Sequence, residues 1–322
     1  MTPAPRIPSA AAAHIVIVNW NAGALLRKCL DSLARFGGDA LAETVLVDNG
    51  STDGSADVEI PGLPLAIDRT GENLGFARGS NRGATGARAA YLLFLNPDTE
   101  LRAGTLAAVV DFMEREESAQ IGICGIRLVG EDGTVQRHCA RFPTWRSFVG
   151  HSLALTARLP RLFPPVTLDD FDHLSNRDVD HVIGAFYLIR RDLFEALGGF
   201  DERFFVYLED LDLSRRAAAS GWRCHYLADA VAFHKGGGTS DQVKAHRLFY
   251  SLRSRLLYAL KHFSRPAAWA VIAATLLIEP FSRLALAAAR RSSEEARATL
   301  AAYRMLSADL GAVLRTNRRL RR

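Results

Sequence analysis

The sequence predicts an α/β protein, a mostly parallel Rossmann-like sheet covered by helices and followed by a helical C-terminal extension. Three observations predict it. Short β-branched or apolar runs alternate with helical stretches through the first hundred residues, polar residues gather where those runs end, and beyond residue 245 the spacing is almost entirely helical. Hydrophobic residues make up 48% of the 322 and charged residues 23%, a balance that can build a full core.

Taken in order, His14 to Asn19 is a β-branched run that reads as a buried strand. Ala24 to Phe36 places Leu25, Leu26, Cys29, Leu30 and Leu33 at helical spacing and stops at Gly37-Gly38. Thr44 to Asp48 and Leu63 to Asp68 read as strands, Gly75 to Arg88 as a small-residue helix, and Tyr91 to Leu95 as a further strand. Gly104 to Glu117 is helical, and Ile121–Val129 with Thr134–Arg141 reads as a hairpin about a Glu-Asp-Gly turn. Residues 143–178 hold Pro143, Pro160, Pro164 and Pro165 and read as a long loop with a short helix. His181 to Ile189 follows as a strand, Asp192 to Leu197 as a helical turn, and Leu208 to Ser220 as a helix stopped by Gly221. Trp222–Leu227 and Ala230–Phe233 are short strands, and no internal repeat is visible.

Parallel sheets bind ligands at the carboxyl ends of their strands. The polar groups Asn19-Trp20-Asn21, Asp48-Asn49-Gly50-Ser51 and Asn96-Pro97-Asp98 stand at those ends. A carboxylate such as Asp98 after a stiff proline turn can hold Mg²⁺ or Mn²⁺ against diphosphate oxygens; the same residue can simply cap the next helix. His234 ends a strand beside Lys235 and a glycine run that lacks the P-loop pattern, so it is either a metal ligand or a structural histidine. Glu209 and Asp210 open a helix with Arg215 and Arg216 one turn on. Acids favour that position for the helix dipole alone, yet one could also serve as a general base.

Composition narrows the function. Residues 281–322 carry ten Arg against three acids, or +7, so with an overall charge of +5 residues 1–280 sum to −2. A slightly acidic body without a recognition motif excludes nucleic acid as the expected partner. The four cysteines form no metal-finger spacing, and Cys29, Cys124 and Cys224 read as buried small hydrophobes of a reducing compartment. Met1 to Ala13 lacks the apolar core of a signal peptide, which points to the cytoplasm. Ala267 to Ile278 is the most apolar stretch, but it is only 12 residues long against the roughly 20 a span needs, and reads as an interfacial or buried helix. Leu300, Tyr303, Leu306, Leu310, Val313 and Leu314 share a helical face before Arg315, Arg318, Arg319, Arg321 and Arg322, a pattern suited to an anionic membrane surface or to packing on the protein or a homodimer partner.

Together these segments resemble the inverting glycosyltransferases of family 2, of GT-A fold, in their rhamnosyltransferase-like branch. The likeness is carried by Ile17–Asn21, Val47–Ser55, Asn73–Ala77 with Asn81, Leu93–Thr99, Gly184-Ala185, Arg190-Arg191, Gly198–Phe205, Glu209–Leu213, Gly221-Trp222 and His234. The resemblance implies that Asp48 and the strand end Asn19-Trp20-Asn21 contact a pyrimidine base, and that Asn73, Arg78 and Asn81 line the nucleotide-sugar pocket. It implies Asp98 and His234 as ligands of Mn²⁺ or Mg²⁺, and Asp210, beside Glu209, as catalytic base. Asn96 stands where the metal motif has its first acid, and His181 stands where an aromatic such as Trp is expected.

The implied activity is transfer of a sugar, first of all L-rhamnose from dTDP-rhamnose, to a lipid-linked or saccharide acceptor in cell-surface polysaccharide synthesis. Another nucleotide sugar, such as UDP-galactofuranose or a UDP-hexose, is the alternative donor; a silent sugar- or lipid-binding protein is the alternative class. The expected organisation is a disordered tail over 1–12, the transferase domain over 13–242 and a helical Arg-rich region over 243–322, peripheral on the inner face of the cell membrane.

Overall fold

In the computed structural model, residues 12–236 and 243–320 are described, with side chains described as far as Arg315. Most of the expected N-terminal tail, the glycine-run residues Gly237 to Ser240, and the side chains of Arg318, Arg319, Arg321 and Arg322 lie outside them. The chain groups into two units: Met1–Ala140, Asp169–Glu202 and Asp210–Thr239 form one, and Arg141–Leu168, Arg203–Glu209 and Ser240–Arg322 the other.

The first unit begins with β1 (Ala13–Asn19), α1 (Ala24–Phe36), β2 (Leu41–Asp48), β3 (Leu65–Arg69), α2 (Phe76–Gly83) and β4 (Tyr91–Leu95). All seven residues of β1 are buried, because helices cover both faces of the sheet and leave no polar side. α1 buries Leu26, Cys29, Leu30 and Leu33, a stripe at helical spacing. α2 lies so close on the other face that a side chain at Gly83 would meet Val16 Cγ1 at 2.5 Å. That approach explains why this helix is built of small residues.

The chain continues through β5 (Thr99–Leu101), α3 (Thr105–Glu114), β6 (Ile121–Val129), β7 (Cys139–Ala140) and, in the second unit, α4 (Trp145–Ser152). Then come β8 (Arg177–Val179), β9 (His181–Val182), β10 (Phe186–Arg190), α5 (Arg191–Ala196), α6 (Glu209–Ala219) and β11 (Arg223–His234). The large sheet has the order β3-β2-β1-β4-β10-β6-β11-β5, with β8 also on β11. The half made of β3, β2, β1 and β4 is wholly parallel; β10 runs antiparallel to both β4 and β6. Phe200 meets Phe94 and Phe194 edge to face, and those two rings are tilted against each other, with centroids 4.7 to 5.5 Å apart. All four cysteines are buried and free.

Three expectations are corrected. The hairpin after β6 closes through a single Val129–Val135 bridge, and the returning chain leaves to pair β7 with β9 instead. The predicted strand 181–189 is broken at Ile183 to Ala185, where backbone groups turn toward the site described below. The two short strands after Gly221 are one, β11, joined by a register shift between Leu227 and Val231.

The second unit is helical: α4 is closed by a Thr144–Ser147 capping box, followed after the first unit's strands by α7 (Lys244–His262), α8 (Arg265–Ala273), α9 (Glu279–Ala289) and α10 (Ser293–Leu320). α7 buries Leu252, Leu256, Leu257 and Leu260 at helical spacing, while Phe249 is half-buried. α10 packs along α7 and α9 and buries Ala302, Leu306 and Val313, while Leu300, expected on that stripe, is exposed. A π segment, Ala274–Ile278, joins α8 to α9, so 25 helical residues run unbroken from Arg265 to Ala289. Among the described residues this is the one helix long and apolar enough to cross a membrane by length and composition. Its centre holds Glu279, buried against Arg255, Arg283 and Ser152. Burial pushes that carboxyl up, but the two guanidinium groups more than offset this and hold it below its usual range.

Candidate active site

The ends of β1 and β2 are joined by a polar loop whose hydrogen bonds set its shape. Fully buried Asn19 donates to Ser51 Oγ at 3.0 Å and to Ser55 Oγ at 2.9 Å, so it pins the loop. Asn21 adopts a left-handed conformation and accepts from the Thr52 N–H at 2.8 Å; half-buried Trp20 sits between them. Asp48 accepts from the Ser51 N–H and pairs with Arg69 at 3.3 Å. Asp53 accepts from Gly23 and Ser55; desolvation pushes its carboxyl up, but these bonds win and hold it below the usual range.

One strand further, buried Asn49 accepts from the Leu74 N–H at 2.8 Å and donates to Asn73 Oδ1 at 2.9 Å. This ties the exposed Asn73 to the carboxyl edge of β2. On α2, Asn81 donates to the Phe200 carbonyl and accepts from its N–H at 2.8 Å, and exposed Arg78 lies 3.9 Å from Glu202. Asn81 therefore clamps the Gly198–Phe200 turn. Asn19 holds serine hydroxyls and Asn49 and Asn81 hold backbone, whereas Asn73, Arg78 and the half-buried Asn21 remain at the surface.

Asp98 lies in the turn between β4 and β5, and His234 ends β11. Antiparallel pairing of β5 with β11 sets Thr99 opposite His234, which brings the two side chains together: Asp98 Oδ1 is 3.5 Å from His234 Nε2. Both are buried to less than a tenth exposure. His234 Nδ1 is 2.8 Å from Gln136 Oε1, so Nδ1 carries the proton and Nε2 faces Asp98 as the basic nitrogen. That is the tautomer a metal ligand requires. Among the described residues no group of three or more His, Cys, Asp or Glu gathers for a metal; the carboxylate and imidazole of this pair are donor types that could hold Mn²⁺ or Mg²⁺ together with further oxygen ligands. Asn96 stands two residues before Asp98, half-buried, with its N–H bonded to the Ala185 carbonyl.

Asp210 begins α6 with its carboxylate 17% exposed. Oδ2 accepts from the Gly184 N–H at 2.9 Å and Oδ1 from the Leu211 N–H at 2.8 Å. A Cβ at Gly184 would lie 3.3 Å from Oδ2, tighter than ordinary contact, so glycine lets the carboxylate approach the backbone. Gly184 and Ala185 are consecutive: one holds Asp210 and the other the start of the Asn96–Asp98 turn. Both acidic motifs are thus anchored on the break before β10. Asp212, two residues on, is fully buried and paired with Arg216 at 2.8 Å, a structural role. Glu209 is also buried and groups with the second unit.

Residues 14–198 match the family described as Glycosyl transferase family 2. The chain is 30% identical over 263 residues to the N-acetylglucosaminyl-diphospho-decaprenol L-rhamnosyltransferase of Mycobacterium tuberculosis, covering 77% of this chain and 84% of that one. The chain belongs to glycosyl transferase family 2. As a member it is a glycosyltransferase, and it is 30% identical over 145 residues to the rhamnosyltransferase WbbL of Escherichia coli, covering 45% of this chain and 52% of that one.

The family 2 fold is shared with solved GT-A glycosyltransferases. A mannosyltransferase of Pyrobaculum calidifontis in complex with GDP-Man and Mn²⁺ superposes with a TM-score of 0.51 at 21% identity, over 98% of this chain and 90% of that one. GalNAc-T7 with UDP, GalNAc and Mn²⁺ gives 0.54 at 18% identity, over 80% and 51%. Sequence reading missed Gln136, Gly184 as a backbone donor, and the surroundings of His181. Gln136 gave no signal because it lies in the irregular segment between β6 and β7.

Proposed function

We propose that this family 2 transferase moves L-rhamnose from dTDP-rhamnose to a lipid-linked acceptor in cell-surface polysaccharide synthesis. The observation that carries the reading is the pairing of two acidic motifs on Gly184 and Ala185, one facing a histidine and the other held by backbone donors. The sugar and the lipid-linked acceptor follow the name of the M. tuberculosis relative, which aligns with most of this chain, and dTDP as the carrier follows the family resemblance.

In this reading Asp48, with the Asn19–Asn21 strand end, holds the base, and Asn73, Arg78 and Asn81 with Asn96 line the donor pocket. Asp98 and His234 hold Mn²⁺ or Mg²⁺. When bound, that cation supplies positive charge to the diphosphate as it leaves. Asp210, the second acid of the Glu209-Asp210 pair, takes the proton from the acceptor hydroxyl, whose oxygen attacks the anomeric carbon on the face opposite the diphosphate. One displacement inverts the anomeric configuration. The two N–H donors on Asp210 fix its carboxylate before substrate arrives, which removes a reorganisation cost from the step.

The second unit is the membrane-facing part in this reading, keeping the enzyme on the cytoplasmic face. Support comes from Trp269, Leu277, Phe281 and Leu286, which are 48% to 71% exposed along Arg265–Ala289, with Arg265, Arg290 and Arg291 at its ends. Apolar side chains flanked by cations suit an anionic lipid surface.

A thermal-shift screen of nucleotide sugars with and without Mn²⁺ tests the donor and the metal together. dTDP-rhamnose with Mn²⁺ is expected to raise the melting temperature by about 2 °C or more at saturating ligand, and less without the metal. A larger rise with a UDP-sugar would replace the donor.

A further inference from the structure

Behind Asp210 stands a file of three buried polar side chains that the displacement above does not use. Tyr187 OH is 2.9 Å from Ser214 Oγ, and Ser214 Oγ is 2.9 Å from His181 Nδ1. His181 Nε2 is 3.6 Å from Asp210 Oδ2. Tyr187, Ser214 and His181 are each less than 5% exposed, so water does not compete for these groups.

The donors run in one direction. With a carboxylate at Asp210, the nitrogen facing it carries the proton. Nδ1 then accepts from the Ser214 hydroxyl, whose oxygen accepts from Tyr187. Burial holds the His181 ring below its usual pKa, although Asp210 and Asp180 pull the other way, and the ring stays neutral. Burial also pushes the Tyr187 hydroxyl up, with Cys224 and Asp210 adding to it and Ser214 and Arg216 opposing. The remaining titratable group acting with the ring is His138. Both ends of the file therefore keep their protons as donors.

We infer that His181 is a positioning residue for the Asp210 base, its Nε2–H aimed at the carboxylate by Ser214 and Tyr187. The inference rests on the reading of Asp210 as base. His181 is too buried to meet an acceptor, whereas Asp210 is the exposed member of the pair. The ring neither gives nor takes a proton in the step. It supports the carboxylate's charge and orientation beside the Gly184 and Leu211 N–H groups. The 3.6 Å spacing is of the kind that tightens when substrate binds. A histidine in place of the expected aromatic keeps a ring and adds two nitrogens that this file uses.

The test is steady-state kinetics on the full chain with dTDP-rhamnose, Mn²⁺ and a polyprenyl-diphospho-N-acetylglucosamine acceptor. His181→Leu, His181→Gln, Tyr187→Phe and Asp210→Asn are compared with the wild type. His181→Leu is expected to lower kcat by about 10- to 100-fold with the donor KM within about twofold. The acid limb of its kcat/KM profile should move to higher pH, because a carboxylate that loses a donor holds its proton more tightly. His181→Gln should restore most of kcat, since its amide N–H reaches the same place. Tyr187→Phe should move the acid limb the same way by less.

An unchanged kcat and acid limb in His181→Leu would overturn the inference, as would a Gln variant no better than Leu. If His181→Leu does not fold, an unmoved acid limb in Tyr187→Phe overturns it. Near-normal turnover by Asp210→Asn would instead sink the base assignment itself. A dead Asp210→Asn beside a normal His181→Leu would sink only the role of His181.

Discussion

Asp98 and His234 show how far single residues can be read from a sequence. Each is recognisable as a candidate ligand, yet 135 residues separate them, and only the pairing of Thr99 with His234 shows that they meet. Gln136 was invisible, because an amide in an irregular segment has many uses and its partner is set by tertiary structure. Its Oε1 fixes the His234 tautomer, and its Nε2 donates to the His234 carbonyl at 2.6 Å. Gln136→Leu should therefore weaken Mn²⁺ binding in the presence of dTDP by about 10- to 100-fold, the usual effect of losing such a partner. Titration followed by Mn²⁺ paramagnetic resonance reads this without turnover. Unchanged affinity would remove His234 from the metal site.

Among the elements, legibility followed burial pattern. The helix over Ala24–Phe36 and the strand over Tyr91–Leu95 match their expected bounds, because continuous or helical apolar spacing has one stable solution. The break between β9 and β10 was hidden, since Val182, Ile183 and Ala185 continue an apolar pattern through Gly184. There the backbone bonds Asp210 and Asn96, partners distant in sequence that the apolar pattern does not reveal.

The same region carries a pH signature. Burial pushes His138 down to about 3, and keeps His173 and His181 below 6.5. A histidine whose folded pKa is depressed contributes stability above its unfolded value of 6.5, which is lost as pH falls toward the folded one. The melting temperature should fall between pH 6.5 and 4.5, above the range in which most carboxylates titrate, and His138→Gln should reduce the slope. A flat profile over that window would mean the rings are not held neutral.

For the molecule as a whole, the two units are unlike: one carries every candidate site residue except Glu209, and the other is helical and exposes apolar side chains. The Arg-rich tail drew attention in the sequence because charge is easy to count. The exposed Leu277 and Phe281 were less legible, since an apolar run does not say which of its residues a fold will bury. The Glu279 ion-pair network holds the middle of Arg265–Ala289 against protein, which favours lying on a bilayer over crossing it. Sedimentation with vesicles containing anionic lipid should retain the chain, and Leu277→Asp with Phe281→Asp should cut retention at least tenfold. Equal retention would move the contact elsewhere.

The central claim is that the two acidic motifs have different jobs, with Asp98 serving the donor and Asp210 the acceptor. Single-turnover transfer by Asp210→Asn, with dTDP binding measured in the same preparation, tests it most directly. The account predicts a loss of about 10²- to 10⁴-fold in rate with nucleotide affinity within about twofold of wild type. Near-normal transfer, or a matching loss of nucleotide binding, would contradict it.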